Sequence, residues 1–222
     1  MGRRSYGQYC ALAKTLDLVG ERWTLLIVRD LALGPKRYAD LLEGLPGIGT
    51  SLLATRLKHL EAVGIAARSR LPPPAASTVY TLTTDGVALV HALVPLVAWG
   101  APRLLGRRRR GETFRAEWPL LVLAAGVDRE AAARVRDVYE FELDGSFAHL
   151  RVDNHDVAVV PGPADRPDVT VRIDVPDFVA IGSGELRIAD ALADGRLHLD
   201  GDPGAIERFF RVFRLGAMID NG

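Results

Sequence analysis

The chain has 222 residues, 48% hydrophobic and 25% charged, with a mean hydropathy of +0.09; this excludes a disordered chain and leaves room for two ordinary domains. Its formal net charge is zero, but residues 1–110 carry 16 Lys+Arg against 7 Asp+Glu, and residues 111–222 carry 12 against 21. A basic half therefore precedes an acidic one, and only the first suits a polyanionic partner. The single cysteine, Cys10, rules out an intrachain disulfide framework.

The start, MGRRSYGQYC, has no apolar signal-peptide core. The most apolar stretch, VALVHALVPLVAWGAP (87–102), contains His91 and Pro95 and is shorter than the roughly 18 residues a membrane span needs. A cytoplasmic protein without a membrane partner is expected.

The spacing of Trp23, Leu26, Ile27, Asp30 and Leu31 predicts a helix over ERWTLLIVRDLALG, stopped by Gly34–Pro35. A short helix follows over RYADLLEGL, with Tyr38, Leu41, Leu42 and Leu45 inward. PGIG breaks the chain, Thr50 or Ser51 caps the next helix, and Leu53, Leu57 and Leu60 form its buried stripe up to Gly64. Residues 65–70 and 78–82 flank a Pro/Ala-rich tip and predict a β-hairpin. TTDG opens an apolar helix over 85–104, in which Pro95 predicts a kink or a break.

GRRRRGE, residues 106–112, is the domain boundary, a solvated charge run between glycines. Beyond it a helix is expected over REAAARVRDVY, then strands at YEFEL, FAHLRVD, VAVVP and VTVRIDV. Two helical pieces fit DFVAIGSGELRIADALADG, then a strand at RLHLDG and a last helix in PGAIERFFRVFRLG. Strands with segregated helices give an α+β fold class.

Helix, helix, turn, helix, hairpin is the order of a winged helix-turn-helix, which sets one helix in the DNA major groove. With Leu53 at the buried centre, Ser51, Thr55, Lys58 and Ala62 fall opposite it, and Ala54 and His59 lie on the flanks. That face carries no acidic residue. Small and hydroxyl side chains allow close approach to base edges, Lys58 suits a phosphate or a guanine, and the helix start at Thr50–Ser51 suits a phosphate; Ser51, Thr55, Lys58 and His59 are expected to read bases or adjacent phosphates. Arg68 and Arg70 alternate along the first wing strand, while Lys36 and Arg37 open the preceding helix; contacts of this kind give affinity without sequence information.

These residues carry a resemblance. A Cys near the N-terminus, GERWTLLI, GPKRYADL, LPGIG followed by RLKHLEAVGI, VYTLTTDG and the Trp at the end of the next helix resemble the HxlR-type winged-helix transcription factors over nearly all of residues 9–100. The resemblance implies a homodimer on a pseudo-palindromic operator in double-stranded DNA, with the N-terminal and post-wing helices at the dimer contact. Leu89, Val90, Leu93, Val94, Leu96, Val97 and Trp99 independently leave the helix over 85–104 apolar on more than one face. Leu89, Leu93, Leu96, Val97 and Trp99 are therefore expected at a dimer contact, with packing against the second domain as the other use of that surface. The resemblance also aligns Cys10 with a cysteine that some members use to sense oxidants or electrophiles; a buried small hydrophobe is the other reading.

In the acidic half, PDVTVRIDVPDFVAIGSGELRIADALADGRLHLDGDPGAIERFF resembles sterol-carrier-protein-like domains, with Gly184, Leu186, Ala191, Gly195, Leu197 and Gly201 in the matching pattern. The resemblance implies a small curved sheet whose helices cover an apolar, ligand-holding cavity. Phe178, Ile181, Phe209, Phe210 and Phe213 are candidates to line it, or to fill a core instead.

DNHD (153–156) reads as a turn rather than a metal site, GSGE is too short for a nucleotide loop, and no nucleophile has a base beside it. The sequence therefore predicts a regulator and not an enzyme, with no cofactor and no metal. Its expected domains are a DNA-binding and dimerisation domain over 1–105, a linker over 106–111 and an effector domain over 112–222 that takes a hydrophobic small molecule. Two alternatives stand beside this: a hydrophobic-ligand carrier whose winged helix serves protein contacts, and a thiol-sensing regulator acting through Cys10.

Overall fold

A computed structural model of the chain describes residues 5–72, 74, 76–105 and 109–215. By its internal contacts the chain divides into two compact units, Met1–Ala92 and Leu93–Gly222.

The first unit begins with α1 (Ala11–Val19), α2 (Thr24–Ala32), α3 (Tyr38–Gly44) and α4 (Thr50–Ala62). An antiparallel hairpin of β1 (Ala66–Arg70) and β2 (Thr78–Leu82) follows, and α5 (Thr84–Leu104) begins directly after it. Ile27, Val28 and Leu31 of α2, Leu41 of α3, and Leu53, Leu57 and Leu60 of α4 are all buried and make the core with Val79 of β2. Each such leucine contributes about 2 kcal/mol by leaving water, so the i, i+4, i+7 stripe on α4 decides which side of that helix faces out.

Gly64 and Thr83 join wing and helices. Thr83 Oγ1 donates to Gly64 O at 2.5 Å and accepts from Gly86 N at 3.1 Å, which fixes the start of α5 against the hairpin. Gly86 is the one buried residue of α5, and a Cβ there would collide with the Ile65 carbonyl oxygen. The motif TTDG is thus a cap followed by a close backbone approach.

The second unit contains α6 (Glu117–Ala125), α7 (Arg129–Ala132), β3 (Arg136–Leu143), β4 (Ser146–Asp153), β5 (Asp156–Pro161), β6 (Val169–Ile173), α8 (Val175–Ser183), α9 (Ile188–Ala193), β7 (Leu197–Gly201) and α10 (Pro203–Val212). The strands form one sheet in the order β5-β4-β3-β6-β7, antiparallel except for the parallel pair β3–β6. Tyr139, Phe141 and Leu143 alternate along β3 onto one buried face, where rings from α8 and α10 meet them. The fold class is α+β, as the alternation of strands and segregated helices predicts.

Several local expectations change. The helix expected over REAAARVRDVY stops at Ala132, and β3 already begins at Arg136, because Val138 and Tyr139 pair with Arg151 and Leu150 of β4. The N-terminal helix that the resemblance implies is α1, which the spacing of residues did not mark; α6 was not among the expected elements, because EWPLLVLAA is apolar on every side and so shows no helical period. Pro95 does not break α5, which runs through both Pro95 and Pro102. At 21 residues α5 is also longer than the apolar stretch suggested, and by length and composition alone it could cross a membrane. Neither Thr50 nor Ser51 caps α4: its N-cap is Gly49, with no side-chain bond to the first turn. Of the linker expected at 106–111, residues 106–108 lie outside the described residues.

Candidate nucleic-acid interface

Burial along α4 follows the helical period. Leu53, Leu57 and Leu60 are buried, while Thr50, Ser51, Ala54, Thr55, Lys58 and Ala62 are exposed. Thr55 Oγ1 donates to Ser51 O at 2.8 Å, which orients the hydroxyl and leaves its lone pairs outward. With Gly49 as N-cap, no capping side chain bonds the first turn, an arrangement that suits a phosphate oxygen.

The neighbouring elements are tied to this helix. Tyr38 Oη, at the start of α3, donates to Thr50 O at 2.7 Å. Lys36 exchanges two backbone hydrogen bonds with Tyr80 of β2, at 3.0 and 2.8 Å, and so stands beside the wing. Arg37 is exposed, and its backbone N–H donates to Asp40 Oδ2 at 2.8 Å. On β1, Arg68 and Arg70 are exposed two positions apart on one face; Arg68 Nε lies 3.9 Å from Glu61 Oε1. At 61% side-chain exposure Arg68 is only loosely held by that pair.

His59 is placed differently from the other candidates. It is half-buried, and its Nε2 lies 2.8 Å from the carbonyl oxygen of Leu18 in α1. Because a carbonyl only accepts, Nε2 carries the proton of this bond. The sequence period put His59 on the flank of the outward face but held no signal that α1 lies there. Arg56, which the sequence did not single out, is held in the same way: its Nε donates to Arg22 O at 3.2 Å and its Nη2 meets Glu21 Oε2 at 2.9 Å.

On α5, Leu89 and Leu93 are half-buried, and Leu96, Val97 and Trp99 are 54%, 43% and 59% exposed. On α1, Leu12 is 66% and Leu16 39% exposed. Apolar surface of this extent calls for a cover. Cys10, the N-cap of α1, is exposed rather than buried as a small hydrophobe would be.

In the second unit, the phenylalanines singled out in the sequence come together around β3. Phe209 lies 5.2 Å from Tyr139, 6.0 Å from Phe141, 5.6 Å from Phe210 and 5.2 Å from Phe213, between ring centroids. Phe178 of α8 meets Phe141 edge-on at 6.4 Å, and Ile181 is buried one helical turn further on. At one end, Arg208 holds the buried Asp137 carboxylate, to which Tyr139 Oη also donates at 2.8 Å. Burial, reinforced by that bond to Asp137, pushes the Tyr139 phenol well above its ordinary range, so it stays neutral. DNHD forms the β4–β5 turn, with Asn154 at φ 57° and His155 Nδ1 3.1 Å from Arg129 O; among the described residues no cluster suited to a metal occurs.

Residues 18–106 match the HxlR-like helix-turn-helix family, and residues 121–214 match the SCP-2 sterol transfer family. The HTH-type transcriptional regulator YodB of Bacillus subtilis is 39% identical over 88 residues, 40% of this chain and 79% of YodB. The uncharacterized HTH-type transcriptional regulator sll1512 of Synechocystis is 33% identical over 95 residues, 43% of this chain and 70% of that protein. The solved structure of reduced YodB is 36% identical, with 44% of this chain and 96% of that one aligned at a TM-score of 0.39.

Proposed function

Because the chain belongs to the HxlR-like helix-turn-helix family of transcriptional regulators, we propose that it binds a pseudo-palindromic operator as a homodimer, each copy setting α4 into the major groove. The observation that carries this is the outward row Ser51, Ala54, Thr55 and Lys58 on a helix whose opposite side is core. Such a row is small enough to reach base edges and ends in a cation. Thr50, Ser51, Ala54, Thr55 and Lys58 meet bases or adjacent phosphates; Lys36, Arg37, Arg68 and Arg70 hold the backbone. Leu89, Leu93, Leu96, Val97 and Trp99 of α5 pack against the second copy, which gives their apolar surface its cover. In this reading the protein works in the cytoplasm by binding and not by catalysis. Selection of duplexes from a random-sequence library by the full chain tests it: enrichment of a two-fold symmetric sequence supports the proposal, and no enrichment contradicts it.

The second unit then serves as an effector domain for a hydrophobic small molecule. Its match to the SCP-2 sterol transfer family supports this. A ligand changes operator affinity only through its preference for one conformation of the dimer. Sterols and fatty acids that raise the melting temperature and shift the operator Kd support the coupling; a rise in melting temperature without any shift in Kd leaves a carrier. Cys10, being exposed, is open to alkylation, and an unchanged operator Kd after alkylation removes the thiol-sensing alternative.

A further inference from the structure

The end of α1 and its connection to α2 run along the flank of α4 and bond to it three times. Leu18 O accepts from His59 Nε2 at 2.8 Å. Arg22 O accepts from Arg56 Nε at 3.2 Å, while Glu21 Oε2 meets Arg56 Nη2 at 2.9 Å. The Trp23 indole covers Gly47, in the turn before α4, where a Cβ would lie 3.7 Å from Trp23 Cη2. Arg56 is held so closely that its side chain is only 16% exposed.

Trp23 occupies a left-handed backbone conformation at φ 78°, rare for any residue other than glycine. The guanidinium of Arg22 lies 5.4 Å from its ring centre. A strained residue persists where its surroundings over-determine it, and here the surroundings are Arg22 and the turn that leads into α4.

We infer that His59 and Arg56 are positioning residues that fix the roll of α4, so that the segment Leu18–Trp23, the end of α1 and its connection to α2, sets which side chains reach the bases. The inference rests on the DNA-binding reading of α4. Each clamped residue follows directly on an outward one: Thr55 precedes Arg56, and Lys58 precedes His59. With side-chain tips about 5–6 Å from the helix axis, a roll of about 20° displaces them by about 2 Å. That is more than a base-edge hydrogen bond tolerates, but a phosphate contact made by a flexible lysine absorbs it. The clamp therefore governs discrimination between sequences more than affinity for DNA in general. It also gives the exposed apolar face of α1, with Leu12 and Leu16, a direct mechanical route to the recognition helix.

The test uses the full chain with His59→Gln, His59→Asn and Arg56→Met. A glutamine amide reaches about as far as Nε2 and retains the bond to Leu18 O; asparagine falls short of it. The probes are a duplex selected by the wild-type chain from a random-sequence library and a random duplex of equal length. His59→Asn and Arg56→Met are expected to weaken the selected duplex by about tenfold, with less than about twofold change on the random duplex and an unaltered salt slope. His59→Gln should stay within about threefold of wild type on both. Should Arg56→Met fail to fold, the Gln/Asn pair still decides. The inference is overturned if His59→Asn binds the selected duplex as wild type does, or loses equally on both duplexes, which would make His59 a phosphate contact. It is also overturned if both His59 variants change the preferred base at one position on re-selection, the signature of a base contact. A wild-type chain that selects no duplex overturns the DNA-binding reading itself, and this inference with it.

Discussion

Arg208 of α10 grips Asp137 at the start of β3 through two hydrogen bonds, Nε to Oδ2 at 2.7 Å and Nη2 to Oδ1 at 2.9 Å, across 71 positions of sequence. Asp137 is 6% and Arg208 35% exposed at the side chain, and Tyr139 Oη shares the same carboxylate. Removing the acceptor leaves a buried phenol and a half-covered guanidinium without it. Asp137→Ala is therefore expected to destabilise the second unit by about 3 kcal/mol, and Tyr139→Phe by about 1 kcal/mol. Urea unfolding followed by far-UV circular dichroism checks both, and equal losses for the two would contradict this assignment.

Asp128 caps α7, accepting from Glu130 N and Ala131 N at 3.0 Å each, and meets Arg214 Nε at 3.1 Å. The Ala131 bond above all, aided by Arg214 and opposed by partial burial, holds its carboxyl below the usual range. A depressed folded-state value means that the contribution is complete above the ordinary carboxylate range and lost as pH falls through the lowered value. The bidentate Arg187–Asp190 pair depresses Asp190 and acts in the same window. Asp128→Asn should thus lower the melting temperature at neutral pH and flatten its fall on acidification. Parallel acid limbs for variant and wild type would refute the assignment.

Gly86→Ala places a Cβ against the Ile65 carbonyl oxygen and the Leu82 side chain, where backbone must shift. A loss of about 2 kcal/mol or more is expected. Because the start of α5 is tied to the wing through Thr83, faster amide exchange at Ile65 and Leu82 should accompany it.

Leu96→Glu introduces a charge on the exposed apolar side of α5. If that side is the dimer contact, sedimentation should show the variant shifted to monomer at concentrations where wild type is dimeric, with its circular dichroism spectrum unchanged. A dimer of undiminished stability would place the contact elsewhere.

Lys58→Ala separates two uses of an exposed cation on α4. A base contact predicts a loss of about 10–100-fold on operator and little on random DNA, whereas a phosphate contact predicts similar losses on both. Arg70→Ala on the wing is expected to behave in the second way.

The first unit was readable because its signals are local and strong. Leu53, Leu57 and Leu60 mark the buried side of α4, Gly–Pro and PGIG mark its breaks, and TTDG marks the start of α5. What the sequence withheld is tertiary: nothing in RLKHLE tells that His59 and Arg56 turn to the α1–α2 connection while Lys58 turns away. In the second unit α6 escaped because a helix half-covered on every side has no polar stripe, and β3 took over the RDVY end of an expected helix because cross-strand pairing with β4 outweighs the helical period there. The candidate aromatic residues were legible as a set by their clustering near the C-terminus. Their meeting with Tyr139 and Phe141 depends on β3, some 70 residues away.

The most direct measurement is fluorescence anisotropy of the full chain on labelled DNA from upstream of its own gene and on random DNA of equal length, at two salt concentrations. A sequence-specific regulator predicts tighter binding to the upstream DNA, weakening steeply with salt because the release of phosphate counterions on binding becomes less favourable, and loss of that preference in Lys58→Ala. Equal, weak binding to both, unaltered by Lys58→Ala and by any hydrophobic ligand that stabilises the second unit, would contradict a DNA-reading role for α4.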